Sequence, residues 1–210
     1  MTHKTATASG LAAIMAAMVA ELREWEAAAG RWDAAWRAAM AACTPLLASL
    51  AGLAAQMRAT QRLAWGGTPL GAFSELRERL WRKQRGAAEA LLEELSERRE
   101  ELRAVRDAVG AGVAAVMRVY EERPAALSLT EVLRRGPSRP SLADVLEGLQ
   151  DVERYYRYLY LEIKQFLLLI SCDSLADMEA LPQTWEGILE RYGEDTVQDA
   201  FLKISLFLDN

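Results

Sequence analysis

Histidine is nearly missing from this 210-residue chain: the only one is His3. The usual general base at neutral pH and the commonest metal ligand are therefore almost unavailable. Cysteine is almost as scarce. Cys43 and Cys172 lie far apart with no CxxC spacing. That excludes a disulfide framework as the organising principle and points to a reducing compartment. One histidine and two distant thiols also cannot build a zinc site from soft ligands. Each cysteine reads most simply as a small buried hydrophobe. There is no GxxxxGK[ST] loop to cradle phosphates and no GxGxxG following a strand. Serine and threonine occur without a nucleophile elbow or a histidine partner. The catalytic, cofactor-binding and metal-binding classes are therefore not expected.

A run of about 20 apolar residues, the length needed to cross a bilayer, is also absent. Leu11–Ala20 has roughly the length of a secretory hydrophobic core, but Glu21, Glu24 and Glu26 follow at once. It reads as the start of an amphipathic helix. Tyr158–Ile170 is interrupted by Glu162, Lys164 and Gln165 and reads as a buried helix. No membrane contact is expected.

Glycine and proline are sparse and clustered, which suits long helices with short breaks. Much of the 51% apolar content is alanine, the best helix former and a poor contributor of buried area. No alternating run is long enough to demand a sheet; only Phe201–Leu208 is short enough to pass for a strand. The fold class expected is all-α: an antiparallel helical bundle with a long coiled-coil-like helical hairpin.

Along the chain, residues 1–9 are small and polar and read as a disordered start. Residues 10–123 form the long-helix, coiled-coil region. Its first helix runs from about Gly10 to Ala42, with Trp25, Trp32 and Trp36 on one face. Thr44-Pro45 reads as a cap and first-turn proline that start a second helix. That helix carries Leu46, Leu47, Leu50, Leu53 and Met57 and ends before the Gly66-Gly67-Thr68-Pro69 loop. From about Ala72 to Arg123, Leu91, Leu95, Leu102, Val105, Val109, Val116 and Val119 keep a heptad register. This third helix would be about 75 Å long if continuous, at 1.5 Å per residue. Gly86 is a candidate break. Gly110 and Gly112 weaken the helix and allow close approach of another. Arg98, on the same seam, reads as a snorkelling side chain.

Residues 124–140 hold Pro124, Gly136, Pro137 and Pro140 and read as a linker with a short helix at Leu129–Arg135. Ser141 and Asp144 make a capping-box-like start to a C-terminal helical region, 141–210. It comprises a helix to about Ser171, one around Leu175–Ala180 with a restart at Pro182, and one from Thr196 to Leu208, with Gly193 as a stop between them.

The charge is asymmetric. Residues 1–140 carry 20 basic and 16 acidic side chains, residues 141–210 carry 5 and 14, which suggests surfaces with different partners. Glu89, Glu93, Glu94, Glu97, Glu100 and Glu101 interleave with arginines and read as solvated ion pairs. Arg77, Arg79, Arg82, Lys83 and Arg85 form a basic cluster opposed inside the run only by Glu78. It is either a solvated helix face or a contact for phosphate or an acidic protein. Arg134, Arg135 and Arg139 are candidates to extend it. Trp65, beside the Gly-Gly loop, is a candidate interface anchor. The run Tyr155–Tyr160 has aromatics on every side, so some must face something other than one core.

Five segments carry a family resemblance: Pro45–Leu50, Ala72–Gln84, Pro140–Tyr156, Leu175–Trp185 and Val197–Asp199. In this order and spacing, over about residues 31–210, the chain resembles the AIRIM family of ribosome-maturation factors. The resemblance implies a non-catalytic adaptor with no cofactor and no catalytic residues to carry over. It also implies partnership with a CINP-like helical protein, Afg-two-type AAA+ ATPase subunits and a pre-ribosomal large-subunit particle. The activity implied is cytoplasmic maturation of that subunit with recycling of assembly factors, plus a link to replication-fork proteins; localisation would be cytoplasmic and nuclear. Composition then suggests Arg77, Arg79, Arg82, Lys83 and Arg85 as the cargo- or rRNA-facing surface and Leu95, Leu102, Val109 and Val116 as the CINP-pairing seam. A self-associating coiled-coil scaffold or tethering protein is the alternative.

Overall fold

The structure is a computed structural model. It describes the backbone of residues 2–122, 127–191 and 195–209, and the side chains of residues 10–122, 127–191 and 197–209. The helices are α1 (Thr2–Arg62), α2 (Leu76–Glu121), α3 (Leu129–Val132), α4 (Leu142–Leu168), α5 (Leu175–Glu179), α6 (Leu181–Arg191) and α7 (Asp195–Leu208). Two 3-10 turns, Trp65–Gly67 and Pro69–Ala72, join α1 to α2. Among the described residues there is no strand, and Phe201–Leu208 is helical.

The chain forms two compact units, each discontinuous in sequence. The first draws on residues 1–36, 103–160 and 193–210. Its interior holds Leu22, Trp25 and Trp36 of α1, Val109 and Val116 of α2, Val145, Leu149 and Tyr156 of α4, and Ile204 and Phe207 of α7. Each fully buried large apolar side chain contributes about 1.5–3 kcal/mol. Of the tryptophan face foreseen on α1, Trp25 and Trp36 are core and Trp32 is half-buried. The Trp25 ring lies 5.4 Å from that of Phe201. Trp36 meets Tyr156 edge-on at 5.0 Å. The Tyr156 hydroxyl donates to Asp33 Oδ1 at 3.2 Å, which satisfies its polar tip. Gly148 lets α4 approach α7 closely: a Cβ there would already touch that of Ala200 at 3.4 Å.

Local signals fix two helix starts in this unit. Ser128 and Glu131 form a complete capping box on α3. Ser141 and Asp144 do the same for α4: the Ser141 N–H donates to Asp144 Oδ2 at 2.8 Å, and the Asp144 N–H donates to Ser141 Oγ at 3.1 Å. In the described part of the stretch read as a linker, Leu127 and Val132 are buried. Pro124 and Gly193 lie outside the described residues.

The second unit draws on residues 37–102 and 161–192. Here α1 and α2 run antiparallel. The Gln84 amide approaches Thr60 Oγ1 at 3.4 Å, and Cys43 feels the charges of Arg98 and Glu101. Leu47, Leu50, Ala54 and Met57 of α1 and Ala88, Leu95 and Leu102 of α2 are all buried in this unit. Trp185 of α6 is buried, stacks on Phe166 at 5.9 Å and donates its indole N–H to Thr44 Oγ1 at 3.1 Å. Arg58 on α1 pairs with Glu179 on α5 at 2.9 Å. Pro182 is the second residue of α6, a position that needs no N–H.

Four expectations are corrected. Thr44-Pro45 does not start a helix, because α1 passes through it with Pro45 inside. An interior proline costs about 3 kcal/mol, yet Cys43, Leu47 and Leu50 are fully buried around it, and that packing outweighs the local cost. Thr44, read as a cap, instead accepts the Trp185 indole. Helix α1 also starts at Thr2 and so takes in the polar start read as disordered. Finally, α1 is long and apolar enough to cross a membrane by composition alone, where the count of apolar runs found none; alanine makes the difference. Ile14, Met18, Leu22 and Trp25 in this helix are buried within the chain. Gly86 lies inside α2 without breaking it.

Candidate partner-binding surfaces

In the second unit, the link between α1 and α2 builds a compact end. Gly67, Thr68, Gly71 and Phe73 each donate their N–H to a carbonyl three residues back, at 3.0–3.2 Å. The Trp65 indole N–H folds back to donate to Thr60 O at 3.3 Å, and the Thr68 hydroxyl donates to Trp65 O at 3.0 Å. Gly71 is required here, since any Cβ would collide with the Trp65 carbonyl. Trp65 is half-buried, so part of its face remains available. Beside it, Leu63, Leu70 and Phe73 are exposed, Phe73 to 65%.

The basic cluster follows on the first turns of α2, and all five cations are exposed. Arg79 pairs with Glu75 at 2.7 Å, Arg82 with Glu78 at 3.3 Å and Arg85 with Glu89 at 3.2 Å. Among the described residues Arg77 and Lys83 have no ion pair. Two clefts open here. One, of about 360 Å³, is lined by Thr60, Gln61, Ser74, Arg77, Glu78 and Trp81. The other is walled by Phe73, Leu76 and Arg79. Trp81 is half-buried and also borders a third cleft with Arg58 and the Cys172–Ala176 segment.

Arg134, Arg135 and Arg139 belong to the first unit. Arg135 forks onto Asp144, with Nε donating to Oδ2 at 2.8 Å. Together with the Ser141 bonds, this holds the Asp144 carboxyl well below its ordinary value. Arg139 lies over the Phe207 ring at 4.6 Å. Arg98, the polar member of the α2 seam, pairs with Glu101 at 2.8 Å and keeps its head at the surface. The glutamates of this stretch are exposed, and Glu89, Glu97, Glu100 and Glu101 pair with arginines rather than forming a buried acid–base pair.

Leu95, Leu102, Val109 and Val116 are all buried in the chain itself. Along this seam α2 packs on α1: Trp32 and Trp25 sit over Gly112 in the first unit, and Thr60 meets Gln84 in the second. A second protein could reach this seam only by displacing the chain's own helix. Exposed apolar residues lie elsewhere. In the second unit they include Leu161, Leu168 and Leu169, the last two 59% and 71% exposed. Leu161 and Leu168 are seven residues apart on α4 and share a face. Tyr158–Ile170, expected as a buried helix, is thus buried only at Leu159, Tyr160 and Ile163, because its apolar run is broader than one helix face can bury. Among the described residues, no group of three His, Cys, Asp or Glu could hold a metal ion.

A family model described as ribosome biogenesis protein C1orf109-like matches residues 16–206. The chain belongs to this family. The match reaches further toward the N-terminus than the resemblance read from the sequence and includes part of the alanine-rich start of α1. Among curated relatives, the AFG2-interacting ribosome maturation factor of Homo sapiens is 42% identical over 175 residues, 83% of this chain and 86% of the relative. The protein of the same name from Mus musculus is 39% identical over 83% of this chain and 81% of its own. That from Xenopus tropicalis is 37% identical over 82% and 85%.

Proposed function

We propose that this chain is a non-catalytic adaptor subunit of an AAA+ ATPase complex of the Afg-two type. It would serve cytoplasmic maturation of the large ribosomal subunit by helping to recycle assembly factors, with a nuclear pool and a link to replication-fork protein turnover as further parts of the reading. The observation that carries it is the similarity over more than four fifths of the chain to relatives named for both AFG2 interaction and ribosome maturation. The surfaces suit such a role, because exposed leucines and a basic helix are means of docking rather than of catalysis. The basic helix Arg77–Arg85 faces the pre-ribosomal cargo. The exposed α4 face at Leu161 and Leu168, rather than the filled α2 seam, takes a CINP-like helical partner. Because α1 already occupies that seam, a self-associating scaffold built on it is disfavoured.

The test is co-purification of tagged chain with a CINP-like protein and the ATPase, followed by size-exclusion chromatography with mass detection. A stoichiometric complex, lost on Leu161→Glu with Leu168→Glu, is the expected result. A chain that stays monomeric or homodimeric in the presence of both proteins overturns the adaptor reading.

A further inference from the structure

The α1–α2 end of the second unit sets apolar and cationic groups side by side. Phe73 and Leu76 wall a cleft whose rim carries Arg79, and Arg77 and Trp81 line its neighbour. Phe73 and Leu70 are exposed to 65% and 43%, so the apolar surface there is uncovered within the chain. Between residues 75 and 89 there are five cations against three carboxylates. The three i,i+4 pairs are solvent-exposed, and such pairs are worth only about 0–1 kcal/mol. Arg79 can therefore exchange Glu75 for a better-placed carboxylate at little cost, and the planar guanidinium favours a bidentate carboxylate.

We propose that this end of the hairpin captures an acidic segment of a partner protein. One aliphatic or aromatic residue of that segment seats against Phe73 and Leu76, and flanking carboxylates meet Arg77, Arg79 and Lys83. The proposal rests on the reading of the basic helix as the cargo-facing surface and gives that cargo a chemistry. Protein fits better than RNA. Unpaired bases are held by stacking on open aromatic faces within a strongly cationic groove. Here Trp65 is tied back to Thr60, Trp81 is half-buried, and Phe73 is a single exposed ring beside Leu63 and Leu70 rather than part of a stacking row. Glu75 and Glu78 interrupt the cationic run and would repel a continuous line of phosphates, whereas a segment with separated carboxylates can avoid them.

The experiment is fluorescence anisotropy on the full chain. The ligands are a dye-labelled peptide of alternating Glu and Ser with a central Phe-Leu, the same peptide with Gly-Gly at the centre, and a single-stranded oligouridine of similar length. The expected result is saturable binding of the Phe-Leu peptide, weakened at least tenfold by Gly-Gly, by Phe73→Ser and by Arg77→Glu with Lys83→Glu. Circular dichroism should stay unchanged, because all three substituted side chains are exposed. Equal binding of the Gly-Gly peptide, no binding of either peptide, or tighter binding of oligouridine that the same substitutions abolish would overturn the proposal. None of these outcomes bears on co-migration with the ATPase, so failure here and failure of the adaptor reading are separately visible.

Discussion

Gly112 on α2 lies against the Trp32 indole of α1: a Cβ built there would stand 2.7 Å from Trp32 Cη2, and 2.9 Å from Trp25 Cδ1. The Trp25 ring cannot yield easily, because it is buried and packed on Trp32 at 6.1 Å and on Phe201 at 5.4 Å. Gly112→Ala gains up to about 1 kcal/mol of helix propensity but overpacks the contact at about 1–3 kcal/mol. A net loss of roughly 1 kcal/mol is expected. Gly110, two residues away, has open space at its Cβ position, so Gly110→Ala should stabilise by up to about 1 kcal/mol. Urea midpoints moving in opposite directions for the two variants would support this packing; a stabilised Gly112→Ala would show that the tryptophans are not seated as described.

Gln84 is a buried polar residue in the seam of the second unit. Its Oε1 is buried without a hydrogen-bond partner, and its amide bond to Thr60 Oγ1 is long, at 3.4 Å. Thr60 keeps its own bond to Gln56 O at 2.9 Å, so removing Gln84 orphans nothing. A buried unsatisfied polar group costs about 1–3 kcal/mol. Gln84→Leu should therefore raise the thermal midpoint by several degrees. A single polar residue at such a position can instead fix the register of two helices. In that case Gln84→Leu would melt at a higher temperature but lose cooperativity, and a drop in midpoint would contradict both accounts.

The all-α class, the apolar seam on α2, the close approach at Gly112 and the Ser141–Asp144 capping box were legible because each is a local pattern; the Ser128–Glu131 box was equally local but was not read. Pro45 was not legible. Its local meaning is a helix start, and only the burial of Cys43, Leu47 and Leu50 around it reverses that meaning. The α2 seam was legible as a seam, but not as one already filled, because Leu95 and Leu102 look the same whether they face the chain's own α1 or another protein. The two units were hidden for a related reason: each takes one end of α1, α2 and α4, while composition shifts mark only the sequence breaks between helices. The basic cluster was visible as charge. The exposed Leu70 and Phe73 beside it were not, since exposure depends on how the two 3-10 turns fold back.

At the start of α4, Asp144 accepts from Ser141 and Arg135, and these bonds hold its carboxyl far below the ordinary 3.8. A depressed folded value adds stability that is present above the unfolded value and lost as pH falls through the folded one. Glu131 on α3, held down by the Ser128 cap, acts with the same sign. Thermal midpoints should therefore fall as pH drops below about 4. Asp144→Asn should flatten that fall, and Ser141→Ala should cost about 1 kcal/mol at neutral pH by removing the cap. An acid limb that is unchanged in Asp144→Asn would mean that the Arg135 fork does not persist in solution.

The two thiols should behave differently. Cys43 is fully buried, and burial pushes its value up to about 11, with Arg98 opposing in part and Glu101 adding. Cys172 is raised as well, by a more limited burial that Arg85 partly offsets, and its side chain borders an open cleft. Since the thiolate is the nucleophile, an aromatic disulfide reagent near pH 8 should modify one thiol per chain, at Cys172, and reach Cys43 only on unfolding. The sign at alkaline pH follows from the same shift. Between the ordinary 9.0 and about 11, the unfolded Cys43 ionises while the folded one stays protonated, so the folded state loses stability through that window. Cys43→Ala should make the alkaline decline shallower, at the expense of about 1 kcal/mol or more for the atoms removed from a tight seam. Fast modification of Cys43 in the native chain would show that α1 and α2 part near this position, and the filled seam would then be open to a partner after all.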